Sequence, residues 1–165
     1  MEYKDFLELD KFYEQLPKGA FLTVSDGENV NTMTIGWALN GIIWRKPVIA
    51  IAVRKSRYTY ELIEKAEDFT ISCPLNKDLS KALMICGTKS GREIDKFKEA
   101  NIGIADAKSN LSPIIGECEL HYECKIIYSQ FMDEDSLFDE AKDLFYKEPD
   151  FHKFYFGELV NSYIR

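Results

Sequence analysis

Cationic and hydroxyl side chains are concentrated at one point of the chain, where a buried strand is followed by a helix. Residues 47–53 form a nearly continuous apolar run, which is typical of a strand covered on both faces. A helical pattern over residues 60–66 follows, and between the two lie Arg54, Lys55, Ser56, Arg57 and Thr59. The free backbone N–H groups and the positive dipole end of that helix would point to the same place as Arg54, Ser56 and Thr59. The pattern predicts a site for a phosphate monoester, with a helix cap at Thr59 and solvated cations as the alternative.

The histidines and cysteines do not have the spacing of a metal site. The four cysteines contain no C-x-x-C pair, and neither histidine is spaced with them as a zinc ligand. Cys118 and Cys124 share the apolar parity of an alternating segment, where a reduced cysteine acts as a small hydrophobic residue. His121 lies on the polar parity of the same segment, so we expect it to be solvated. We expect no bound metal and thiols that stay reduced, as they do in the cytoplasm.

Charge is unevenly distributed along the chain. Its 165 residues include 21 Lys and Arg against 28 Asp and Glu, a net charge of −7, which argues against a general nucleic-acid-binding protein. Residues 131–150 hold eight acids and two bases and therefore account for −6 of this total. Residues 29–60 hold five bases and no acid, and residues 79–92 hold three bases and no acid. A small anionic ligand is therefore compatible with this acidic chain.

The rest of the pattern consists of short strands and a few short helices. Residues 20–24 and 29–39 are typical of a hairpin around Asp26-Gly27, and Gly36 interrupts the second strand. Gly36 marks either a bulge or barrel corner or the close approach of a ligand or another backbone. Residues 117–127 alternate cleanly, which predicts a strand with one face in water. Residues 133–146 place an apolar stripe on an acidic surface helix. Further strands are predicted over residues 69–74 and 153–163, and further helices over 12–16, 78–85 and 94–100.

These elements favour an antiparallel barrel or sandwich with helices at its periphery. The six or seven strands lack the regular alternation with helices that a parallel sheet requires. Neither G-x-G-x-x-G nor G-x-x-x-x-G-K-[ST] is present, and the length fits one domain over residues 1–165. No run approaches the roughly 20 apolar residues of a membrane span, and the start lacks the basic region of a signal peptide. We therefore expect a cytoplasmic protein that does not enter a membrane.

Several segments, in the same order along the chain, resemble the flavin reductase-like family and especially its flavoredoxin branch. The likeness begins with residues 31–37 (NTMTIGW) and continues through 41–44 (GIIW) and 53–61 (VRKSRYTYE). Residues 90–97 (SGREIDKF) resemble the family's S-G-R-D-x-D-K-F segment, with Glu in place of the first Asp. Residues 152–158 resemble the closing strand, in which a His precedes a Gly-Glu pair.

The resemblance implies a mainly β fold, the FMN-binding split β-barrel, a Greek-key antiparallel barrel that forms a homodimer with an FMN near each end of the interface. The residues implied to lie along the isoalloxazine, mostly through backbone groups, are Thr32, Met33, Thr34, Ile35 and Gly36. Those implied to hold the phosphate are Arg54, Ser56 and Thr59, with Lys96 as a further phosphate or ribityl contact. Lys55 stands where the branch often has a small residue or proline, and it would add attraction for phosphate or leave the loop less rigid.

The implied activity is reduction of FMN by hydride transfer from NADH or NADPH, in which the flavin carries the chemistry. His152 is the one side chain that we name as a contact for the flavin or the pyridine nucleotide, and pairing with Asp150 or solvent at a strand edge is the alternative. Trp37 and Trp44 would line the flavin pocket or pack in the core or dimer interface. Two other functions stay open: an FMN-bound electron carrier that exchanges electrons with a partner protein, and a non-enzymatic barrel that binds another phosphate.

Overall fold

A computed structural model describes residues 6–165 and places most of them in a curled antiparallel sheet with short helices around it. The strands are β1 (Ala20–Ser25), β2 (Val30–Ile35), β3 (Ala38–Ile43), β4 (Lys46–Arg54), β5 (Asp68–Cys73), β6 (Ile104–Ala105), β7 (Ile114–Ile115), β8 (Leu120–Phe131) and β9 (His152–Ile164). The α-helices are α1 (Leu9–Gln15), α2 (Tyr58–Ile63), α3 (Ser80–Thr88), α4 (Lys96–Ala100) and α5 (Asp139–Phe145), and a 3₁₀ turn (Leu16–Lys18) follows α1.

Seven strands form the main sheet in the order β2-β1-β5-β8-β9-β4-β3, while β6 and β7 pair separately. Although β2 and β3 are the opposite edges of this sheet, only Gly36 and Trp37 connect them. Three Cα-to-Cα steps span at most about 11 Å, so the two edges must come together at this point and the sheet must curl. No ladder joins β2 to β3 in the described part of the chain, so the barrel is split there. The predicted split β-barrel with peripheral helices is confirmed.

Both faces of the curled sheet are covered. All six residues of β1 are buried, because alternate side chains enter two different clusters. Leu22 points into the barrel, whereas Phe21 packs outside it against α3. The barrel interior is filled mainly by large side chains from six other elements: Phe12, Ile49, Leu62, Ile71, Tyr122 and Tyr155.

The predicted hairpin is confirmed, but its second strand is shorter than expected. The β1–β2 ladder runs from Ser25 and Val30 to Ala20 and Ile35. The chain then leaves β2 at Gly36 and resumes as β3 on the other edge. Gly36 therefore lies at a barrel corner, which was one of the two interpretations of this glycine in the sequence.

The prediction of a water-facing side on β8 is wrong for His121 and Glu123, although Lys125 on the same side is exposed. His121 and Glu123 are fully buried, because residues 101–119 fold over this face. Glu123 accepts the backbone N–H groups of Lys108 and Ser109, each at 2.7 Å, and so fixes that segment. Strict alternation reveals which residues share a face but not whether a loop covers that face.

The acidic segment is also organised differently from the prediction. Helix α5 is limited to Asp139–Phe145, and Phe138 and Leu144 of the expected buried stripe are 66% and 63% exposed. Only Ala141 of that stripe is buried. The segment is attached at its end, through Phe145 of that stripe and through Tyr146, which the stripe did not include.

The four cysteines are free and buried, as predicted from the parity of two of them. Burial raises the pKa of Cys86 to about 11 and that of Cys73 to about 12, so these thiols are protonated near neutral pH. Within residues 6–165, no group of three His, Cys, Asp or Glu side chains is placed to hold a metal ion. No helix in the same range is long and apolar enough to cross a membrane.

Candidate functional site

Two adjoining clefts lie where the barrel is split. Their volumes are about 160 and 130 Å³, and they share Met33 and Arg57. The first is lined by Met33, Thr34, Ile35, Gly36, Trp37, Ala52, Arg54, Arg57 and His152. The second is lined by Met33, Ser56, Arg57, Tyr58, Thr59, Thr88, Lys89, Ser90, Arg92 and Lys96.

The C-terminal end of β2 forms one wall of the first cleft. Thr34 fastens this end to α3, because its Oγ1 donates to the carbonyl of Leu83 at 2.5 Å. Gly36 is exposed at the cleft, and a Cβ at this position would meet only the Leu16 carbonyl oxygen, at 3.7 Å. Of the five residues predicted to lie along a ligand here, four line the cleft. Thr32 does not, because its Oγ1 is buried and bonded to the Leu22 carbonyl.

Arg54 ends β4 at the opposite wall of the first cleft. Its guanidinium donates to the carbonyl of Phe145 at 2.8 Å and to that of Asp150 at 3.0 Å. It also lies over the ring of Tyr146, 5.1 Å from the centroid. Arg54 therefore ties the end of α5 and the start of β9 to the cleft.

Ser56 and Asp150 are directly paired. The backbone N–H of Ser56 donates to one carboxylate oxygen of Asp150 at 3.2 Å, and the hydroxyl donates to the other at 2.5 Å. An Arg54 nitrogen is 4.0 Å from the same carboxylate. Lys55, which is exposed, points elsewhere, with its ammonium 5.8 Å from the Phe131 ring centroid, and lines neither cleft.

Thr59 and Lys96 line the second cleft, but both also hold the cleft together. Thr59 is fully buried and accepts a hydrogen bond from the Asn31 amide at 2.8 Å; the N-cap position of α2 is Arg57, so Thr59 is not the cap. The Lys96 ammonium donates to the carbonyls of Thr32 and Cys86, at 2.9 and 2.8 Å. Burial lowers the pKa of Lys96 to about 8, with a smaller contribution in the same direction from Arg57.

Three cations that our site prediction did not include also line the clefts. Arg57 sits where the clefts meet and donates to the Gly87 carbonyl at 2.9 Å. Lys89 and Arg92 lie in the second acid-free window of the sequence, and Arg57 lies in the first. Trp37 is 43% exposed at the cleft, and its ring contacts that of Phe145. The acid-free windows were the signal that could have identified the three cations.

The electrostatic character of the two clefts is the reverse of that of the whole chain. Five cations line them, and none of their lining residues is Asp or Glu. The chain as a whole has a charge of −7. Two acids outside the lining contact these cations, because Glu61 pairs with Arg92 and Asp150 lies 4.0 Å from Arg54. The remaining lining cations favour a small anion on this side of an acidic protein. The cations are Arg54, Arg57, Lys89, Arg92 and Lys96.

His152 forms part of the first cleft and is almost fully buried. Its Nδ1 lies 2.6 Å from the hydroxyl of Tyr146, and its ring packs against Trp37 with centroids 4.9 Å apart. Burial, with a smaller contribution from the nearby Arg54, lowers the pKa of His152 to about 4, so the imidazole is neutral near pH 7. Its partner is therefore Tyr146 rather than the Asp150 side chain.

The relative acidities of Tyr146 and His152 decide which nitrogen of the imidazole carries the proton. A phenol is a stronger acid than a neutral imidazole N–H, so the Tyr146 hydroxyl donates and Nδ1 accepts. The proton then lies on Nε2, which has no protein partner among the described residues and is not sealed from solvent. His152 thus presents one N–H donor to the cleft.

Trp44, the second tryptophan, does not pack in the core. It is 57% exposed at the turn between β3 and β4, where its ring contacts Tyr128 on β8. It lines neither cleft. Of the two tryptophans, only Trp37 is placed beside the candidate site.

Comparison with known proteins identifies the family of this fold. Residues 13–164 match the family described as flavin reductase like domain. An uncharacterised protein of Archaeoglobus fulgidus is 31% identical over 114 residues, which cover 67% of this chain and 62% of that protein. This chain therefore spans less than two thirds of the length of that relative.

Two solved structures share the architecture. The flavoredoxin of Desulfovibrio vulgaris (Miyazaki F) has a TM-score of 0.68 and 22% identity, over 89% of this chain and 69% of that chain. An NADH:FAD oxidoreductase of Streptomyces globisporus has a TM-score of 0.65 and 16% identity, over 100% of this chain and 88% of that chain. These TM-scores establish a common fold, and the family match covers nearly the whole sequence. The chain belongs to the flavin reductase-like family.

Proposed function

We propose that this protein binds FMN in the two adjoining clefts and reduces it with NADH or NADPH. The observation that carries the proposal is the concentration of five cations, without a lining acid, at the split of the barrel. The sequence resemblance and the names of the similar structures support the choice of a flavin over another phosphate-bearing ligand.

The donor set of the clefts fits the chemistry of FMN. The ligand has a flat, largely apolar ring system with polar edges at one end and a phosphate dianion at the other. The β2 wall offers backbone groups over Thr34, Ile35 and Gly36 beside the Trp37 ring, which suits the flat end. The second cleft offers Arg57, Lys89 and Ser90 for the charged end.

In this function the residues of the chain bind, orient and exclude water. FMN, when bound, would supply the capacity to accept a hydride. His152 stays neutral near pH 7 and offers an N–H donor from Nε2 to a group in the cleft. Trp37 packs against the His152 ring and places apolar surface beside that donor in the cleft wall.

We also propose that the protein acts as a homodimer. Each cleft is smaller than the roughly 300–1,000 Å³ of a typical small-molecule site, so a further wall would complete the site. The edge strand β3 carries exposed Leu39, Ile42 and Ile43, followed by exposed Trp44 at its turn. An apolar edge strand of this kind favours pairing with another chain.

One observation favours the second candidate function, an FMN-bound electron carrier. Phe138, Leu144 and Phe145 are exposed on and beside α5, and Phe145 contacts Trp37 at the cleft. A redox partner protein could dock on such an apolar surface next to the flavin. The buried free thiols are compatible with either function in a reducing cytoplasm.

FMN binding is tested by titrating the purified protein and following flavin absorbance and fluorescence. We expect the wild-type protein to bind FMN, and Arg57→Ala to weaken binding by about 1–3 kcal/mol, the range for hydrogen bonds to charged groups. Lys65→Ala removes an exposed cation outside both clefts and serves as the matched control. A protein that remains colourless after incubation with FMN would contradict both flavin functions.

The two flavin functions are separated by adding NADH or NADPH to the FMN complex without oxygen. A reductase bleaches the flavin absorbance rapidly. A carrier shows no bleaching over minutes but is reduced by a partner protein or by dithionite.

The proposed dimer is tested by analytical ultracentrifugation of the wild-type protein and of Ile42→Lys. The comparison shows whether β3 forms the dimer contact.

A further inference from the structure

The Asp150 carboxylate lies where an anionic ligand would bind. Both of its oxygens accept hydrogen bonds from Ser56, one from the backbone N–H and one from the hydroxyl. The Arg54 guanidinium is 4.0 Å away. A backbone N–H, a hydroxyl and a guanidinium are the donors that bind a phosphate group in proteins. Two residues predicted to hold phosphate are therefore engaged by an acid of the same chain.

This pairing differs from the contacts of a carboxylate that only stabilises the fold. The Asp150 side chain is 29% exposed, and Ser56 is exposed as well. Asp150 precedes β9, which begins at His152, so its carboxylate can leave Ser56 by side-chain rotation without breaking a ladder hydrogen bond. Arg54 holds the Asp150 main chain in place through the carbonyl, independently of the carboxylate. The carboxylate is thus placed to be exchanged for another anion.

Ser56 also belongs to the lining of the second cleft. Arg57 and Lys89 line the same cleft, so a phosphate attracted by these cations arrives next to the Ser56 hydroxyl. The Asp150 carboxylate and a phosphate dianion cannot both accept the single N–H and the single O–H of Ser56. Their binding to Ser56 is therefore mutually exclusive, and the negative charges of the carboxylate and the phosphate repel one another.

We propose that Asp150 is a specificity determinant at the phosphate end of the site, an internal carboxylate that a phosphate monoester must displace from Ser56. The inference rests on the proposed function, because it assigns the phosphate of FMN to this end of the clefts. Asp150 lowers the affinity for FMN relative to riboflavin, which has the same ring system and no phosphate. It thereby favours a flavin that exchanges over one that stays bound.

The test compares Asp150→Asn with the wild-type protein. Asparagine keeps one carbonyl oxygen to accept from Ser56, and so preserves the loop while removing the charge. We expect Asp150→Asn to bind FMN about two- to fivefold more tightly in fluorescence titrations, the size expected for one partly exposed charge contact, and to bind riboflavin equally well. Glu148→Gln is the matched control, because it removes an exposed negative charge two residues away whose carboxylate does not contact Ser56; we expect less than about a twofold change.

Three outcomes would overturn the proposal: unchanged FMN affinity in Asp150→Asn, weaker FMN binding, or an equal gain for riboflavin. An equal gain in Glu148→Gln would also overturn it, since the effect would then be general charge rather than displacement. If Asp150→Asn does not fold, Asp150→Ser removes the same charge and takes its place in the comparison.

A further arm separates failure of this inference from failure of the proposed function. Inorganic phosphate is titrated while the amide signal of Ser56 is followed by NMR. If neither flavin binds the wild-type protein, the proposed function is wrong, yet tighter phosphate binding at Ser56 in Asp150→Asn still supports displacement. Equal phosphate binding by the two proteins counts against it.

Discussion

Two polar networks contain the same kinds of side chain in opposite situations. The covered network consists of Ser72, His121, Glu123 and Tyr163. The cleft network consists of Arg54, Tyr146, Asp150 and His152. Each includes a buried histidine whose pKa burial lowers to about 4, a tyrosine and a carboxylate.

The networks differ in how many hydrogen-bonding positions the protein fills. Both ring nitrogens of His121 have partners, at 3.1 Å each, in Ser72 and the Cys118 carbonyl. His152 uses only Nδ1, which leaves Nε2 for the cleft. Burial and a lowered pKa therefore do not by themselves mark a functional histidine. The unfilled position is what distinguishes a binding site from a structural network.

The largest predicted effect comes from opening the covered network. Glu123→Ala would leave the N–H groups of Lys108 and Ser109 and the hydroxyl of Tyr163 without their acceptor. Because hydrogen bonds to a charged group contribute about 1.5–3 kcal/mol each, we expect the free energy of unfolding to fall by about 3 kcal/mol or more. Urea denaturation measures this loss.

Asp150→Ala provides the other side of the comparison. Its carboxylate is partly exposed, and water can replace it at Ser56, so we expect a loss of no more than about 1 kcal/mol. Similar losses in the two variants would mean that the cleft network is as structural as the covered one. The division between the networks would then be wrong.

The next effect in size is the pH dependence that both histidines share. Their folded pKa of about 4 lies below the ordinary value of 6.5, so the unfolded chain binds protons first as the pH falls. The neutral imidazoles stabilise the fold fully above about pH 6.5, and this stabilisation is lost progressively as the pH falls towards 4. Between pH 7 and pH 5 we expect a loss of about 2 kcal/mol for each histidine.

Histidine variants show how much of this pH-dependent loss of stability comes from each network. In urea denaturation at pH 7 and pH 5, His121→Gln and His152→Gln should each remove about half of the loss. Saturating FMN should change the titration of His152, followed by NMR, and leave that of His121 unchanged. A ligand effect on His121 of equal size would argue that the two networks are coupled.

The fold could be predicted where local signals decide it. The β1–β2 hairpin and the buried β4 follow from a turn signal and an uninterrupted apolar run, which depend on neighbouring residues only. The covered network could not be predicted in this way. Alternation placed His121 and Glu123 on a polar face correctly, but the cover over that face comes from residues 101–119, whose irregular course has no periodic signal.

The candidate site shows the same limit. Charge segregation is a property of the sequence, so the acid-free windows contained all the cations of the clefts except Lys96. The Asp150 partner of Ser56 is 94 positions away, and it reaches Ser56 because β4 and β9 pair with Arg54 opposite His152. Such a register is set by the whole sheet and not by either segment. The acidic segment was therefore recognised, but its position beside the cations was not.

The smallest predicted effect concerns Tyr146, which orients the cleft histidine. Tyr146→Phe keeps the ring over which Arg54 lies but removes the hydroxyl that donates to Nδ1 of His152. The neutral imidazole loses that stabilisation, so we expect the pKa of His152 to rise by less than about one unit and stability at pH 7 to fall by about 1 kcal/mol. Nitrogen chemical shifts of His152 should also change from a single tautomer with the proton on Nε2 to a mixture, while those of His121 stay as in the wild-type protein. A mixture already present in the wild-type protein would show that the hydroxyl does not fix the donor.

Flavin binding by Tyr146→Phe also tests where His152 lies relative to the ligand. If the proton leaves Nε2 and the variant binds FMN and riboflavin more weakly by the same factor, His152 lies at the ring end of the clefts. Its role is then separate from that of Asp150 at the phosphate end.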